Sequence, residues 1–173
     1  MNDKDKRLKE IIRVDHAGEY GAQQIYSGQI KFIKDPELRN LLEHLADEEK
    51  EHIEYFENLM IKKRVRPTLL QPVWKFGGFS LGAITAVLGR DFVMACTEAV
   101  ESVIVDHYKD QLKELDKSKE TELKKKILKF LADEDEHKET GANNISNNTF
   151  KLRLFKLFIR RITQTAIKIS EKV

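Results

Sequence analysis

The sequence predicts an all-α protein: a four-helix bundle built from two repeated helical hairpins, with additional apolar helices. Three observations predict it. Charged residues make up 35% of the 173 positions while glycine and proline together fill eleven, a balance suited to helices. Apolar residues recur at three- and four-residue steps along long segments, which is the helical period. The two halves also echo each other. Glu19-x6-Tyr26-x2-Gln29 is matched by Glu101-x6-Tyr108-x2-Gln111, and Leu-Ala-Asp-Glu occurs at 45–48 and at 131–134. Two copies of one hairpin packed face to face give a four-helix bundle with a pseudo-twofold axis.

A first helix is expected over about 4–33, where Leu8, Ile12, Asp15, Glu19, Ala22, Tyr26, Gln29 and Ile33 share a stripe. Asp35-Pro36 starts the second helix, with Asp at the cap and Pro in the first turn. That helix carries Leu38, Leu42, Leu45, Glu49, His52, Phe56 and Leu59 on one face and stops before Pro67, so the first hairpin covers about 4–65. Residues 67–91 hold Pro67, Pro72, Trp74 and four glycines with few charges, and read as a turn followed by a short apolar helix. A second hairpin is expected over about 92–146. Its first helix begins near Asp91 and aligns Met94, Glu98, Glu101, Val105, Tyr108, Leu112 and Leu115. Its second, capped by Asp116 or Ser118, aligns Leu123, Ile127, Leu131, Glu134, His137, Gly141 and Ile145. A C-terminal amphipathic helix at about 149–169 completes the chain, and the length suits a single domain over 1–173.

A formal net charge of +2 gives no reason to expect nucleic acid as a partner. One cysteine, Cys96, excludes an internal disulfide or a thiolate cage. Flanked by Met94, Ala95 and Ala99, it reads as a buried structural thiol. The N-terminal Met-Asn-Asp-Lys-Asp-Lys-Arg has no apolar signal core, and its acids argue against a transit peptide. Phe76–Gly89 is free of charge for only fourteen residues, which favours a buried or interfacial segment over a membrane span.

The chemistry lies in a pattern written twice. Glu19 is followed by Glu49-Lys-Glu-His52, and Glu101 by Glu134-Asp-Glu-His137. A lone glutamate followed by Glu-x-x-His, repeated, is the ligand set of di-iron carboxylate bundles. Eighteen glutamates and five histidines make a Glu-x-x-His by accident unremarkable, so spacing alone decides little. All six residues fall on apolar stripes, however, where buried carboxylates need a counter-charge. Four carboxylates and two neutral imidazoles also balance two divalent cations. Oxygen-rich donors with one imidazole per ion and no thiolate suit iron or manganese.

Spacing leaves the register open, since Glu48 can replace Glu49 and Glu98 can replace Glu101. The Tyr echo favours Glu101, and the i,i+3 relation to His52 favours Glu49. Glu48, Asp133, Tyr26 and Tyr108 are candidates to support the ligands from behind. His16, His44 and His107 lack a glutamate three residues before them and read as surface or hydrogen-bonding residues.

Ile12-Arg-Val-Asp-His-Ala-Gly-Glu-Tyr-Gly-Ala22, Arg66-Pro-Thr68, Pro72-x-Trp74, Met94-Ala-Cys-Thr97, His107-Tyr108 and Asp133-Glu-x-Glu-His137 together resemble the demethoxyubiquinone hydroxylases. The resemblance runs in order from about residue 11 to 141. It implies a ferritin-like di-iron fold and places the iron ligands on Glu19, Glu49, His52, Glu101, Glu134 and His137. The implied reaction is O2-dependent hydroxylation of a polyprenyl methoxy-methyl benzoquinol, a late step of ubiquinone biosynthesis. The di-iron centre itself carries the catalysis, with no separate acid or base assigned. Electrons come from NADH or from the quinol. One departure is Glu98, an extra carboxylate one turn before Glu101.

A long isoprenoid tail gives the apolar elements a role. Phe76, Phe79, Leu81, Ile84, Val87 and Leu88 are expected to enter a membrane surface. Phe155, Phe158, Ile159, Ile162 and Ile169 lie on one side of a basic C-terminal helix suited to anionic lipid. The competing reading is that both helices merely close the core. The expected location is peripheral: the cytoplasmic face of a bacterial membrane, or the matrix side of the mitochondrial inner membrane in a processed eukaryotic chain. Other ubiquinone-biosynthesis proteins are possible partners. The rival functions are a ferritin-like iron store, a rubrerythrin-like peroxidase and a lipid-presenting module with a vestigial site. A storage shell has no need of an apolar hairpin, and one cysteine cannot supply a rubrerythrin's electron-transfer module.

Overall fold

Capping chemistry sets where the helices begin and end. The computed structural model describes residues 3–115 and 120–173, and among them it forms six α-helices and no strand. They are α1 (Asp3–Phe32), α2 (Pro36–Lys63), α3 (Gln71–Leu88), α4 (Arg90–Leu115), α5 (Thr121–Asn143) and α6 (Phe150–Ser170). The chain is all-α, as expected. It divides into two compact units, residues 1–93 with 165–173, and residues 94–164.

In the first unit, Asp35 caps α2. Its carboxylate accepts from the backbone N–H groups of Glu37 (3.0 Å) and Leu38 (3.2 Å), and its other oxygen takes Arg90 at 2.9 Å. The Leu38 amide, followed by Arg90, holds the Asp35 carboxyl below its usual range. Such a cap satisfies helix N–H groups that have no partner within the helix. α2 ends at Arg64, whose left-handed φ of 52° turns its N–H back onto the last carbonyls. Ile12, Met60 and Val65 close this end, with Leu8 and Leu59 packed on them.

The segment expected to hold a short apolar helix forms an eighteen-residue one, α3. It packs against α1 through glycine. A Cβ on Gly82 would collide with the Ile25 carbonyl, one on Gly28 with the Phe79 carbonyl, and one on Gly78 would lie 3.0 Å from the Gly21 carbonyl. Gly78 and Gly82 stand four apart, the small-residue spacing that lets two helix backbones touch. Only Gly89 separates α3 from α4, at φ 103° and ψ 178°, a conformation open essentially to glycine. Trp74 Nε1 donates to Ser170 Oγ (3.0 Å), and Arg7 pairs with Glu171, which ties the end of α6 to this unit.

In the second unit, α5 buries Leu123, Ile127, Phe130, Glu134, His137 and Gly141. Phe130 is the buried residue where Leu131 was expected, and Leu131 and Ile145 are only half-buried. Steps of four, three, four, three and four keep one face; Leu131 falls one residue off it. The cap expected at Asp116 or Ser118 lies outside the described residues. On α6, Leu152 and Ile159 are buried while Leu154, Leu157, Phe158 and Ile162 are exposed. The expected single stripe is therefore divided, with Ile159 facing inward and Phe158 and Ile162 outward.

α3 also presents Val73, Phe76, Ile84, Val87 and Leu88 outward, with Phe76 71% and Val87 77% exposed. Phe79 and Leu81 are half-buried instead, because they lie nearer the glycine face. No helix among the described residues is long and apolar enough to cross a membrane.

Candidate metal centre

In the first unit, the α1 stripe delivers Glu19 and α2 delivers Glu49 and His52, all at most 1% exposed. Three residues apart on α2, Glu49 and His52 share a face. His52 Nδ1 lies 3.6 Å from Glu19 Oε2 and 3.7 Å from Glu49 Oε2. Each of the three offers a donor atom within 4.8 Å of the others. Burial, then the charge of Glu49, pushes the Glu19 carboxyl up to about 7, with His52 acting in the opposite direction. Two carboxylates forced together out of water resist ionising unless a cation joins them.

The second unit repeats this arrangement. Glu101 on α4 and Glu134 and His137 on α5 are at most 1% exposed, and their donor atoms also lie within 4.8 Å of one another. His137 Nδ1 is 3.5 Å from Glu134 Oε2. One turn after His137, Gly141 lets α5 meet α4, because a Cβ there would fall 2.7 Å from the Glu98 amide and 2.9 Å from the Met94 carbonyl. Each unit thus gathers two buried carboxylates and one imidazole, a hard oxygen and nitrogen set that fits Fe2+ or Mn2+. Cys96 is buried. Burial, with help from Glu101, pushes its thiol far up, so it is protonated in the metal-free protein.

The neighbours that spacing left in contention are placed differently. The Glu48 side chain is 42% exposed and lies 3.8 Å from His44. Glu98 is 18% exposed and takes Lys156 at 2.9 Å. Asp133 is half-exposed, with Lys129 at 3.5 Å, whereas Tyr26 and Tyr108 are buried. His107 contacts Gln111 at 2.8 Å.

Of the two roles expected for His16, surface or hydrogen-bonding, the structure removes the first. His16 is buried, stacked on Tyr20 and 4.0 Å from Glu57, and desolvation lowers its pKa against the pull of Glu57 and Glu19. Its apolar and small neighbours Ile11, Val14 and Ala17 were the available signal: α1 is buried almost all round here. Thr97, one turn before Glu101, is a second buried polar residue that the spacing argument passed over.

Residues 6–170 match the family model of ubiquinone biosynthesis protein COQ7. The chain is 43% identical over 168 residues to an NADPH-dependent 3-demethoxyubiquinone 3-hydroxylase, mitochondrial, of Dictyostelium discoideum, covering 96% of this chain and 77% of that relative. It is 42% identical to the human protein of the same name, over 96% and 78% of the two chains. A 3-demethoxyubiquinol 3-hydroxylase of Rhodospirillum rubrum is 38% identical, again over 96% and 78%. With the match spanning nearly its whole length, the chain belongs to the COQ7 family of ubiquinone biosynthesis proteins.

Proposed function

We propose that this protein is a 3-demethoxyubiquinol hydroxylase, an oxidoreductase that inserts one oxygen atom of O2 into the ring of a polyprenyl methoxy-methyl benzoquinol. One observation carries the reading. A member of a family whose relatives bear that name buries the same Glu and Glu-x-x-His set in each of two units. The relatives' names speak against a storage protein or a peroxidase.

Glu19, Glu49 and His52 from one unit and Glu101, Glu134 and His137 from the other would hold two iron ions jointly, making residues 1–173 one functional di-iron domain. Four carboxylates and two neutral imidazoles match two Fe2+ in charge. The bound metal pair supplies the one-electron redox chemistry that lets O2 react with an organic ring.

The protein's own groups set the conditions for that chemistry. Glu19, whose carboxyl burial pushes up to about 7, would give up its proton to a bound metal ion. His52 and His137, each one turn from a glutamate, keep the donor geometry on rigid helices. Tyr26 and Tyr108, both buried, would support the ligands from behind, and burial of the whole set excludes bulk water. Glu48 and Asp133 are the acids placed beside the ligand helices' motifs, and we assign them to steadying the ligands.

The reductant is a reduced nicotinamide, as two relatives' names suggest with NADPH, or the quinol itself. The exposed apolar faces of α3 and α6, the latter interspersed with Lys151, Arg153, Arg160 and Arg161, support peripheral attachment to an anionic membrane from which a polyprenyl quinol enters. The relatives named mitochondrial support a mitochondrial location in a eukaryote; we assign the protein to the matrix side of the inner membrane there, and to the cytoplasmic face of the membrane in a bacterium.

The test is direct. Metal-free protein is loaded anaerobically with Fe2+, then given demethoxyubiquinol, NADPH and O2, and the lipid is analysed by mass spectrometry. A product heavier by one oxygen is expected; unchanged lipid with iron bound would exclude the hydroxylase.

A further inference from the structure

Five serine or threonine side chains are buried among the described residues: Thr68, Thr85, Thr97, Ser102 and Ser170. Four of them have a hydrogen-bond partner. Thr85 Oγ1 donates to the Gly82 carbonyl (2.8 Å) and Ser102 Oγ to the Ala99 carbonyl (2.9 Å), the usual resort of a hydroxyl inside a helix. Thr68 Oγ1 accepts from the Leu70 amide (3.3 Å) and Ser170 Oγ from Trp74 Nε1 (3.0 Å). Thr97 is the exception. It is 2% exposed, lies two turns into α4, and its Oγ1 has no hydrogen-bond partner.

A buried hydroxyl left unmatched weakens a protein, and valine of the same shape would avoid the loss. Its position gives a reason to keep it. Thr97 and Glu101 stand four residues apart on α4, so they share a face, about 6 Å apart along the axis. Its neighbours on the same helix, Val93, Met94 and Val100, are buried and apolar. Immediately beside it, the approach of Gly141 to Met94 and Glu98 brings α5 onto α4. One spare polar group on an apolar wall, one turn from a candidate ligand, suits a ring that is apolar except for its oxygens.

Resting on the hydroxylase reading, we propose that Thr97 is a substrate-positioning residue whose hydroxyl donates a hydrogen bond to a ring oxygen of the benzoquinol. That oxygen is an acceptor in both the quinol and the quinone state. Fixing it would select which ring carbon faces the metal pair.

Thr97→Val and Thr97→Ser separate this role from packing. In iron-loaded protein, affinity for demethoxyubiquinone with a short isoprenoid tail is measured calorimetrically, alongside Tm, iron content and turnover. Thr97→Val should bind the quinone about tenfold more weakly and release more hydrogen peroxide per O2 consumed. It should keep wild-type iron content and a Tm equal to or above that of wild type. Thr97→Ser should restore most of the affinity. Unchanged quinone affinity in Thr97→Val, a lowered Tm, or equal damage in both variants would each overturn the proposal. The binding measurement needs no turnover, so the two readings fail separately. Wild type that makes no hydroxylated lipid removes the hydroxylase, whereas wild-type turnover with unaltered Thr97→Val binding removes only the role of Thr97.

Discussion

The α1–α2 and α4–α5 hairpins bury the same three donors, but the helices that carry the lone glutamates are supported in different ways. α1 offers a glycine face, and α3 lies against it through Gly28, Gly78 and Gly82. There Gln29 is fully buried and its Nε2 donates to Thr85 Oγ1 on α3 (3.4 Å). The equivalent glutamine of α4, Gln111, contacts His107 one turn back along its own helix (2.8 Å). No glycine interrupts α4, and a close backbone approach to it comes from Gly141 on α5. Donor positions are held in common, then, while the surfaces behind them have been adapted to different neighbours. The requirement common to the two units is the buried Glu plus Glu-x-x-His.

Ways to break this comparison start at the donors. Glu101→Ala should abolish hydroxylation while Glu98→Ala, which loses only the Lys156 pair, should keep most of it. Turnover assays that gave the reverse order would move the donor one turn along α4. Next come the glycines. Gly82→Val should cost roughly 1–3 kcal/mol or more in denaturant unfolding, because it drives a side chain into the α1 backbone. Gly18→Ala, with open space around its Cβ, should be neutral or slightly stabilising.

A pH series sharpens the electrostatics of the first unit. Glu19 keeps its proton up to about 7 when folded and metal-free, against 4.5 ordinarily. Its contribution to metal-free stability is therefore fully present below about 4.5 and is lost as pH rises through about 7. Iron affinity should rise across the same window, with proton release measurable by calorimetry in buffers of different ionisation enthalpy. Affinity independent of pH between 5 and 8 would contradict this. The smallest effect is expected at the cap: Asp35→Ala should lower the urea unfolding midpoint slightly without altering iron content.

Much of this was legible because helical periodicity reports burial. Ile12, Glu19, Tyr26 and Gln29, like Leu42, Glu49, His52 and Phe56, sit on predicted stripes and are buried. Where two neighbouring residues competed for one face, the period could not choose. Phe130 rather than Leu131 is buried, and α6 divides its apolar residues between an inner face with Leu152 and Ile159 and an outer one with Phe158. A 3.6-residue repeat allows either placement until the packed neighbours are known. The charged partners of Glu98 and His16 were illegible for a related reason, since Lys156 and Glu57 come from helices distant in sequence. Thr97 escaped notice because an unmatched hydroxyl exists only by contrast with partners that folding supplies elsewhere.

The central claim is that the two buried sets act as one dinuclear centre, and anaerobic Fe2+ titration of His52→Ala and His137→Ala beside wild type tests it most directly. The account predicts two irons per wild-type chain, and severe loss of both from either variant. One tightly bound iron retained in each variant would mean two independent sites and would contradict it.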